Sequence, residues 1–175
     1  MEFVLGNFEI DGLIKKVQKL IIETNYITIG TVDELGNPWC SPLNCAYDED
    51  FNFYWKSPVD CQHSKNIRDN GKVFFVLFDS SAPVGQGVGI YFKGAALQIE
   101  EDNIEEIQKG SDLIATRVGK IGSLAMKFIK FNPRRVYKVT PNKIWINTIR
   151  IVNFENIDGR IEVTLDQLKN QFPKK

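Results

Sequence analysis

The segment FNFYWKSPVDCQHSKNIRDNGKVFFVLFDS, residues 51–80, decides the fold. Phe51, Phe53 and Trp55 alternate with Asn52, Tyr54 and Lys56, the two-residue period of a strand that shows different faces to core and surroundings. Ser57-Pro58 ends that pattern. The polar run DCQHSKNIRDNG predicts a short surface helix over residues 60–69, with Asp60 available as a cap and Asn70-Gly71 as the stop. KVFFVLFDS is apolar on both faces, which predicts a central strand covered on each side. At the joint between two hydrophobic strands stand Gln62, His63, Ser64 and Lys65, and His63 is the only histidine of the chain.

Upstream, FEIDGLIKKVQKLIIETN places Leu13, Ile14, Val17, Leu20 and Ile21 at helical spacing, with Asp11 as cap and Asn25 as stop. YITIGTV, the turn DELGNP and WCSPLNCAY then read as two strands joined by a tight connection. Pro42 within the second strand predicts an edge, a bulge or backbone turned towards something other than a neighbouring strand. Downstream, VGIYFKGAALQIEE reads as a long strand and RRVYKVTPNKIWINTIRIV as another. Between them, DNIEEIQKGSDLIATRVGKIGSLAMKFIKF has helical spacing in two pieces. NIDGR reads as a hairpin turn and TLDQLKNQF as a short last helix. Early connections this short cannot carry a parallel crossover. The expectation is a mainly β fold, a closed or nearly closed antiparallel barrel with flanking helices.

A chain of 175 residues that is 43% hydrophobic can bury a sizeable core and is expected to form one domain over residues 1–175. Lys+Arg and Asp+Glu both number 22, so a surface that neutralises many phosphates, and with it nucleic acid as a partner, is not expected. A local anion pocket is compatible with that balance. No apolar run approaches the roughly 20 residues that span a bilayer, and MEFVLGNFEI lacks the basic start and apolar core of an export signal. No membrane association is expected. Cys40, Cys45 and Cys61 are odd in number and lack CxxC spacing, which points away from disulfides and structural zinc and towards a reducing, cytoplasmic setting.

The joint has the chemistry of an anion site. The first N–H groups of a helix have no partner within it, and the helix dipole is positive there. Ser64 offers a hydroxyl, Lys65 a full charge, and Gln62 and His63 further donors. Trp55, Lys56 and Ser57 end a strand against the same turn, so a flat ligand with a phosphate tail could lie along the strand.

The run TIGTVDELGNPWCSPLNCAYDEDFNFYWKSPVDCQHSKNIRDNGKVFFVLFD resembles the pyridoxamine 5′-phosphate oxidase-like family of flavin-binding split barrels. In that family a G-x-P turn, a second strand and an aromatic-x-Ser strand lead into an x-H-x-(K/R)-N-(I/L) helix. GVGIYFKGAALQIE and RRVYKVTPNKIWIN resemble its later strands. The resemblance covers about residues 10–148 and leaves 149–175 as an extension without a functional account.

The resemblance implies a homodimer holding flavin mononucleotide (FMN) at the subunit interface. Ser41, Pro42, Leu43 and Asn44 would lie beside the isoalloxazine, Trp55, Lys56 and Ser57 would line the ring or ribityl chain largely through backbone atoms, and Gln62, His63, Ser64 and Lys65 would hold the phosphate. Gln86 would reach the flavin from the same or the partner subunit, with Trp145 as a weaker wall residue. The implied activity is that of a flavin-dependent oxidoreductase acting on a small-molecule redox substrate. Two departures from true pyridoxamine 5′-phosphate oxidases matter. Gln62-His63 stands where those usually show an adjacent Arg-Lys pair, which weakens the phosphate site but leaves Lys65 and the helix amides. The tail has no histidine where they carry an Arg- and His-bearing substrate segment, which argues against pyridoxine oxidation.

Other readings remain beside it: an FMN-binding or storage protein without turnover, a deazaflavin enzyme, or a relative that binds haem through His63. His63 in a polar turn is a poor axial ligand. A metal on Cys40, Cys61 and His63 lacks a known spacing. Asp60, His63 and Ser64 are too close in sequence to align as a triad. Lys127, Lys130, Arg134 and Arg135 read as a solvated helix face running into a strand. GQGVG precedes a strand, whereas a dinucleotide fingerprint opens a helix.

Overall fold

A computed structural model describes residues 7–152 and 155–172. Its elements are α1 (Asn7–Glu23), β1 (Tyr26–Val32), β2 (Pro38–Tyr47), β3 (Phe53–Pro58), α2 (Gln62–Asn70), β4 (Lys72–Phe78), β5 (Gly89–Gln98), α3 (Ile104–Arg117), a short 3-10 turn at Ala125–Phe128, β6 (Arg134–Val152), β7 (Glu155–Val163) and α4 (Leu165–Lys169). Strand neighbours run β3-β2-β1-β4-β5-β6-β7, and β3 also pairs with β6, so the first six strands close on themselves. The β1–β2, β2–β3, β3–β6 and β6–β7 ladders are antiparallel. This is the expected antiparallel barrel with flanking helices.

The chain divides into two compact units, one of Asn25–Phe75 and Lys93–Asn142, the other of Met1–Thr24, Val76–Phe92 and Lys143–Lys175. In the first, the β1–β2 hairpin turns at Asp33–Asn37. The Asp33 carboxylate accepts the amides of Leu35 and Asn37, and Gly36 takes a φ of +88°, open only to a residue without a Cβ clash. Pro42 stays within the β2 ladder, opposite Thr28. Strand β3 runs between β2 and β6, with Cys45 and Tyr137 on either side of Trp55. Its alternation separates two packing layers. Phe53 meets Phe75 edge-on and Trp55 stacks on Tyr137. Tyr54 instead joins Ile107, Ile114, Phe128 and Val136 in a second cluster beneath α3. Helix α3 approaches closely because Gly110 has no side chain. A Cβ there would lie 2.9 Å from both Tyr54 and Val136.

In the other unit, Ile14, Val17, Leu20 and Ile21 form the buried face of α1, as their spacing predicts. Asp11 lies inside α1 and does not cap it, because the helix already runs from Asn7. Asn147 ties β6 to the preceding loop, accepting from the Gly89 amide and donating to the Gly87 carbonyl. NIDGR is strand, not turn: Asp158 pairs with Ile149 and Gly159 with Thr148 in a continuous β6–β7 ladder. Residues 153–154, which connect those strands, lie outside the described residues. Thr164 and Gln167 close a reciprocal capping box on α4.

Two further expectations give way. The second helical piece before β6 is only the 3-10 turn Ala125–Phe128. Arg135 is no solvated side chain, for it is buried, pairs with Glu101 at 2.6 Å and donates to the Lys130 and Asn132 carbonyls.

Candidate functional site

Helix α2 begins where β3 ends, and most of the sequence-predicted residues meet at this joint. Its N-cap is Cys61, not Asp60, in extended backbone at φ −70° and ψ 155°. The Cys61 side chain makes no capping hydrogen bond, and the Cys61 carbonyl takes the amides of Ser64 and Lys65. Asn103 and Thr164 cap α3 and α4 with side-chain oxygens, so α2 differs in leaving its first amides uncapped. The helix stops at Gly71, whose φ of +64° suits glycine and where a Cβ would lie 2.8 Å from the Ala96 carbonyl oxygen.

Beneath that helix start runs a buried polar chain. The Trp39 indole Nε1 donates to Ser41 Oγ at 3.1 Å. Ser41 Oγ lies 3.1 Å from His63 Nδ1, and His63 Nε2 lies 2.8 Å from Ser57 Oγ. A neutral imidazole has one donor and one acceptor, so two hydroxyls satisfy it completely. Burial pushes the His63 pKa below its ordinary 6.5 and keeps the ring neutral. Cys61 Sγ rests 3.2 Å from His63 Nε2 and 3.1 Å from both Ser64 Oγ and the Pro58 carbonyl, to which its thiol donates. A second chain links α2 to β1: Gln62 Nε2 donates to Asn66 Oδ1, and Asn66 Nδ2 to Thr31 Oγ1.

The predicted residues therefore divide by direction. Ser41, Ser57, His63 and Ser64 face inward; Ser64 is fully buried, and its hydroxyl also meets the Tyr137 phenol. Burial raises the Tyr137 pKa against that hydrogen bond. Trp55 and Leu43 are buried, Asn44 and Gln62 half-buried, and Pro42 and Lys65 exposed. Lys56 turns the other way: its Nζ donates to Ser111 Oγ on α3 at 3.2 Å and lies 4.7 Å over the Phe128 ring. Burial lowers the Lys56 pKa, while the Asp112 charge opposes that. Gln86 is exposed in the loop before β5, within the other unit, where it lines a groove with Lys16, Lys19 and Phe78. Trp145 is half-buried on β6 with the Lys143 ammonium 5.9 Å over its ring.

The sequence reading missed Trp39, Thr31 and Asn66. The strand period held the signal for Trp39, which stands two residues before Ser41 and so shares its side of β2. A second polar cluster joins α3 to the barrel wall. The Tyr54 hydroxyl lies 2.8 Å from Glu106 and 3.0 Å from Asp48, with Lys109 on Asp48 at 2.7 Å and Lys138 on Glu106 at 2.6 Å. The cysteines are free: Cys40 exposed, Cys61 half-buried, and Cys45 buried with its thiol pushed up to about 12, mainly by desolvation. Among the described residues no group of three or more His, Cys, Asp or Glu could hold a metal, and no helix is long and apolar enough to cross a membrane.

Residues 13–147 match the family model described as pyridoxamine 5′-phosphate oxidase. No curated protein matches the chain. Solved structures share its fold at low identity. A candidate 5-nitroimidazole antibiotic resistance protein from Bacteroides thetaiotaomicron is 19% identical, with a TM-score of 0.62 over 75% of this chain and 81% of that one. HutZ, the haem storage protein of Vibrio cholerae, is 16% identical, with a TM-score of 0.58 over 75% and 92%. A candidate pyridoxamine 5′-phosphate oxidase from Listeria innocua is 17% identical, with a TM-score of 0.55 over 77% and 97%.

Proposed function

Because this chain belongs to the pyridoxamine 5′-phosphate oxidase family, we propose that it binds FMN and works as a flavin-dependent oxidoreductase on a substrate other than pyridoxine phosphate. The observation that carries the reading is the start of α2, a helix whose first amides no side chain caps and beside which Lys65 is exposed. That donor set fits a phosphate monoester, which needs several N–H donors and a nearby cation. Gln62, half-buried, adds an amide. His63 and Ser64 act from beneath, through the chain Ser41, His63, Ser57 and the Ser64–Tyr137 contact that fixes the turn. Pro42 and Asn44 on β2 and the backbone of Trp55 to Ser57 on β3 form the strand surface for the ring.

Bound flavin would supply the hydride or electron transfer, and the protein its orientation and electrostatic setting. The reading includes a homodimer with the flavin between subunits, and the exposed Tyr26, Val32 and Phe74 of the barrel unit are apolar surface that a second copy would cover. A haem reading is less well supported, despite the likeness to HutZ. The sole histidine has both ring nitrogens engaged by serines, and ligating iron would break one of those bonds.

The visible absorption spectrum of freshly purified protein, followed by titration with FMN, tests the proposal. Flavin bands, or tight uptake of added FMN with the appearance of a dimer, are expected. Oxidation of NADH or NADPH by the loaded protein would separate an enzyme from a storage protein. A Soret band, or a colourless protein that takes up no flavin, would overturn the reading.

A further inference from the structure

The segment between α3 and β6 is basic throughout: Arg117, Lys120, Lys127, Lys130, Arg134 and Arg135 occur with no acidic residue among them, in a chain whose charges balance at 22 of each sign. Arg117 lies over the Tyr47 ring and Arg135 pairs with Glu101. Lys120, Lys127, Lys130 and Arg134 are exposed, and among the described residues none of them forms an ion pair. Large apolar side chains are interleaved with them in water: Ile121 is 96% exposed, Leu124 69%, Met126 60% and Phe131 102%. Apolar side chains scattered singly over a surface need no function, but a cluster bordered by unpaired cations does. The backbone that presents them is pinned. Ala125, Phe128 and Ile129 pack inward. The Ser123 carbonyl accepts from Ser111 Oγ at 2.7 Å, and Gln108 Oε1 accepts the Ala125 amide at 2.8 Å, so Leu124 stands between two anchors on α3. Arg135 donates to the carbonyls of Lys130 and Asn132, on either side of Phe131. Lys130 takes a φ of +54°, a left-handed conformation that costs a lysine energy, and the Phe131 ring is left clear of the core.

We propose that residues 120–134 form a docking surface for an anionic lipid bilayer. Side chains as exposed as Ile121 and Phe131 touch almost nothing of their own protein and project as prongs. A bilayer interface takes up a prong of any shape, whereas a protein partner must carry a pocket for each. The surrounding lysines and arginine match anionic headgroups, and their long stems keep the charges at headgroup level while the prongs go deeper. A second copy set isologously on this face would bring basic residues against basic residues. Asp112 packs against Gly122 and is engaged by Gln108 at 2.9 Å, and a single carboxylate leaves the four cations in excess. The sequence predicts no membrane association because no apolar run spans a bilayer, but a surface contact needs no such run.

Flotation of the full chain with vesicles, alongside its oligomeric state, tests this. Wild type should float with vesicles of phosphatidylglycerol and phosphatidylcholine in equal parts, stay behind with phosphatidylcholine alone, and be released by high salt. Lys127→Gln with Lys130→Gln should lower partitioning roughly twentyfold, at about fivefold for each cation near an anionic surface. Ile121→Ala with Phe131→Ala should lower it by about tenfold or more through lost apolar burial. All four side chains are exposed, so both double variants should keep the wild-type thermal midpoint. A wild type that ignores anionic vesicles would overturn the proposal and leave an acidic protein as the occupant. Binding that neither pair of substitutions weakens, or that only the lysine pair weakens, would overturn it too. A dimer that falls apart in Ile121→Ala with Phe131→Ala, with no vesicle binding in the wild type, would give the face to a second copy. None of these outcomes bears on flavin binding, which the proposal does not need.

Discussion

His63 Nε2 lies 2.8 Å from the hydroxyl of Ser57, so the chain's only histidine faces the end of β3 and not solvent. With Ser41 on the other ring nitrogen, the imidazole is a strut between β2, β3 and α2. Its neutral form is the one that fits, and burial depresses its pKa.

Stability should therefore depend on pH through His63. In the unfolded chain the ring titrates at its ordinary 6.5, and in the folded protein below that. Between those two values the unfolded state binds the proton and the folded state does not. The contribution is fully present above 6.5 and is lost as pH falls through the depressed folded value. Thermal midpoints measured across this window should fall with pH in the wild type, and His63→Gln, which keeps a donor and an acceptor but cannot charge, should lack that step. An unchanged pH profile in His63→Gln would show that the ring is not held neutral.

Lys65 should matter to the phosphate and not to the ring. Lys65→Ala should weaken FMN about tenfold, the low end of a charge-assisted contact because the side chain is exposed. Riboflavin, which has no phosphate, should bind the variant as it binds the wild type. Isothermal titration of both ligands checks this, and equal losses would place the phosphate elsewhere. Ser64→Ala is expected to act through stability, since its hydroxyl meets Cys61 and Tyr137 in the interior.

The Tyr54 cluster should control how firmly α3 is attached. Asp48 loses from burial but gains more from Lys109, Asn52 and Tyr54, so its pKa lies below 3.8. Glu106 behaves alike, with Lys138 and Tyr54 outweighing burial to hold it below 4.5. Both carboxylates thus stabilise the fold at neutral pH, and that contribution disappears as pH falls through their lowered values. Tyr54→Phe should cost about 1–2 kcal/mol in urea unfolding. Asp48→Ala should cost about 3 kcal/mol, because Lys109 and the amides of Asp50 and Asn52 lose their acceptor. A Tyr54→Phe protein as stable as the wild type would mean the phenol adds nothing beyond packing.

Two glycines should respond in opposite senses to alanine. Gly12 lies within α1, and a methyl group there would meet nothing within 4 Å, so Gly12→Ala should stabilise by roughly 0.5–1 kcal/mol. At Gly110 the same methyl would press on Tyr54 and Val136 at 2.9 Å, and Gly110→Ala should destabilise by about 1–3 kcal/mol. Urea midpoints of the two variants check both signs.

Much of the barrel was legible because β-branched and aromatic alternation is a local signal. β4, β5 and β6 fall within KVFFVLFDS, VGIYFKGAALQIEE and RRVYKVTPNKIWINTIRIV. β4 is not covered on both faces as its apolar run predicts: Val73, Phe75 and Leu77 are buried while Phe74 and Phe78 on the other face are exposed. The errors came where a local signal met a stronger tertiary one. Asp158-Gly159 is good turn chemistry, yet pairing with β6 across the whole hairpin holds it extended. Asp60 is a better capping residue than Cys61, but the backbone leaves β3 so that Cys61 occupies the cap. His63 and Ser64 read as surface donors in a polar run. Nothing in their neighbours shows that β2 supplies Ser41 and β6 supplies Tyr137 to draw them inward.

Strand β3 is bonded along both edges, to β2 on one side and β6 on the other. From Phe53 to Trp55 the two ladders run side by side, so freeing that stretch of backbone requires both to part together, whereas Lys56 to Pro58 pair with β6 alone. In native-state hydrogen exchange this strand should be among the last to exchange, opening only with the cooperative unfolding of the barrel unit. A ligand laid along it would then meet a floor that does not breathe, and any adaptation to different substrates would have to come from the loops and the partner surface.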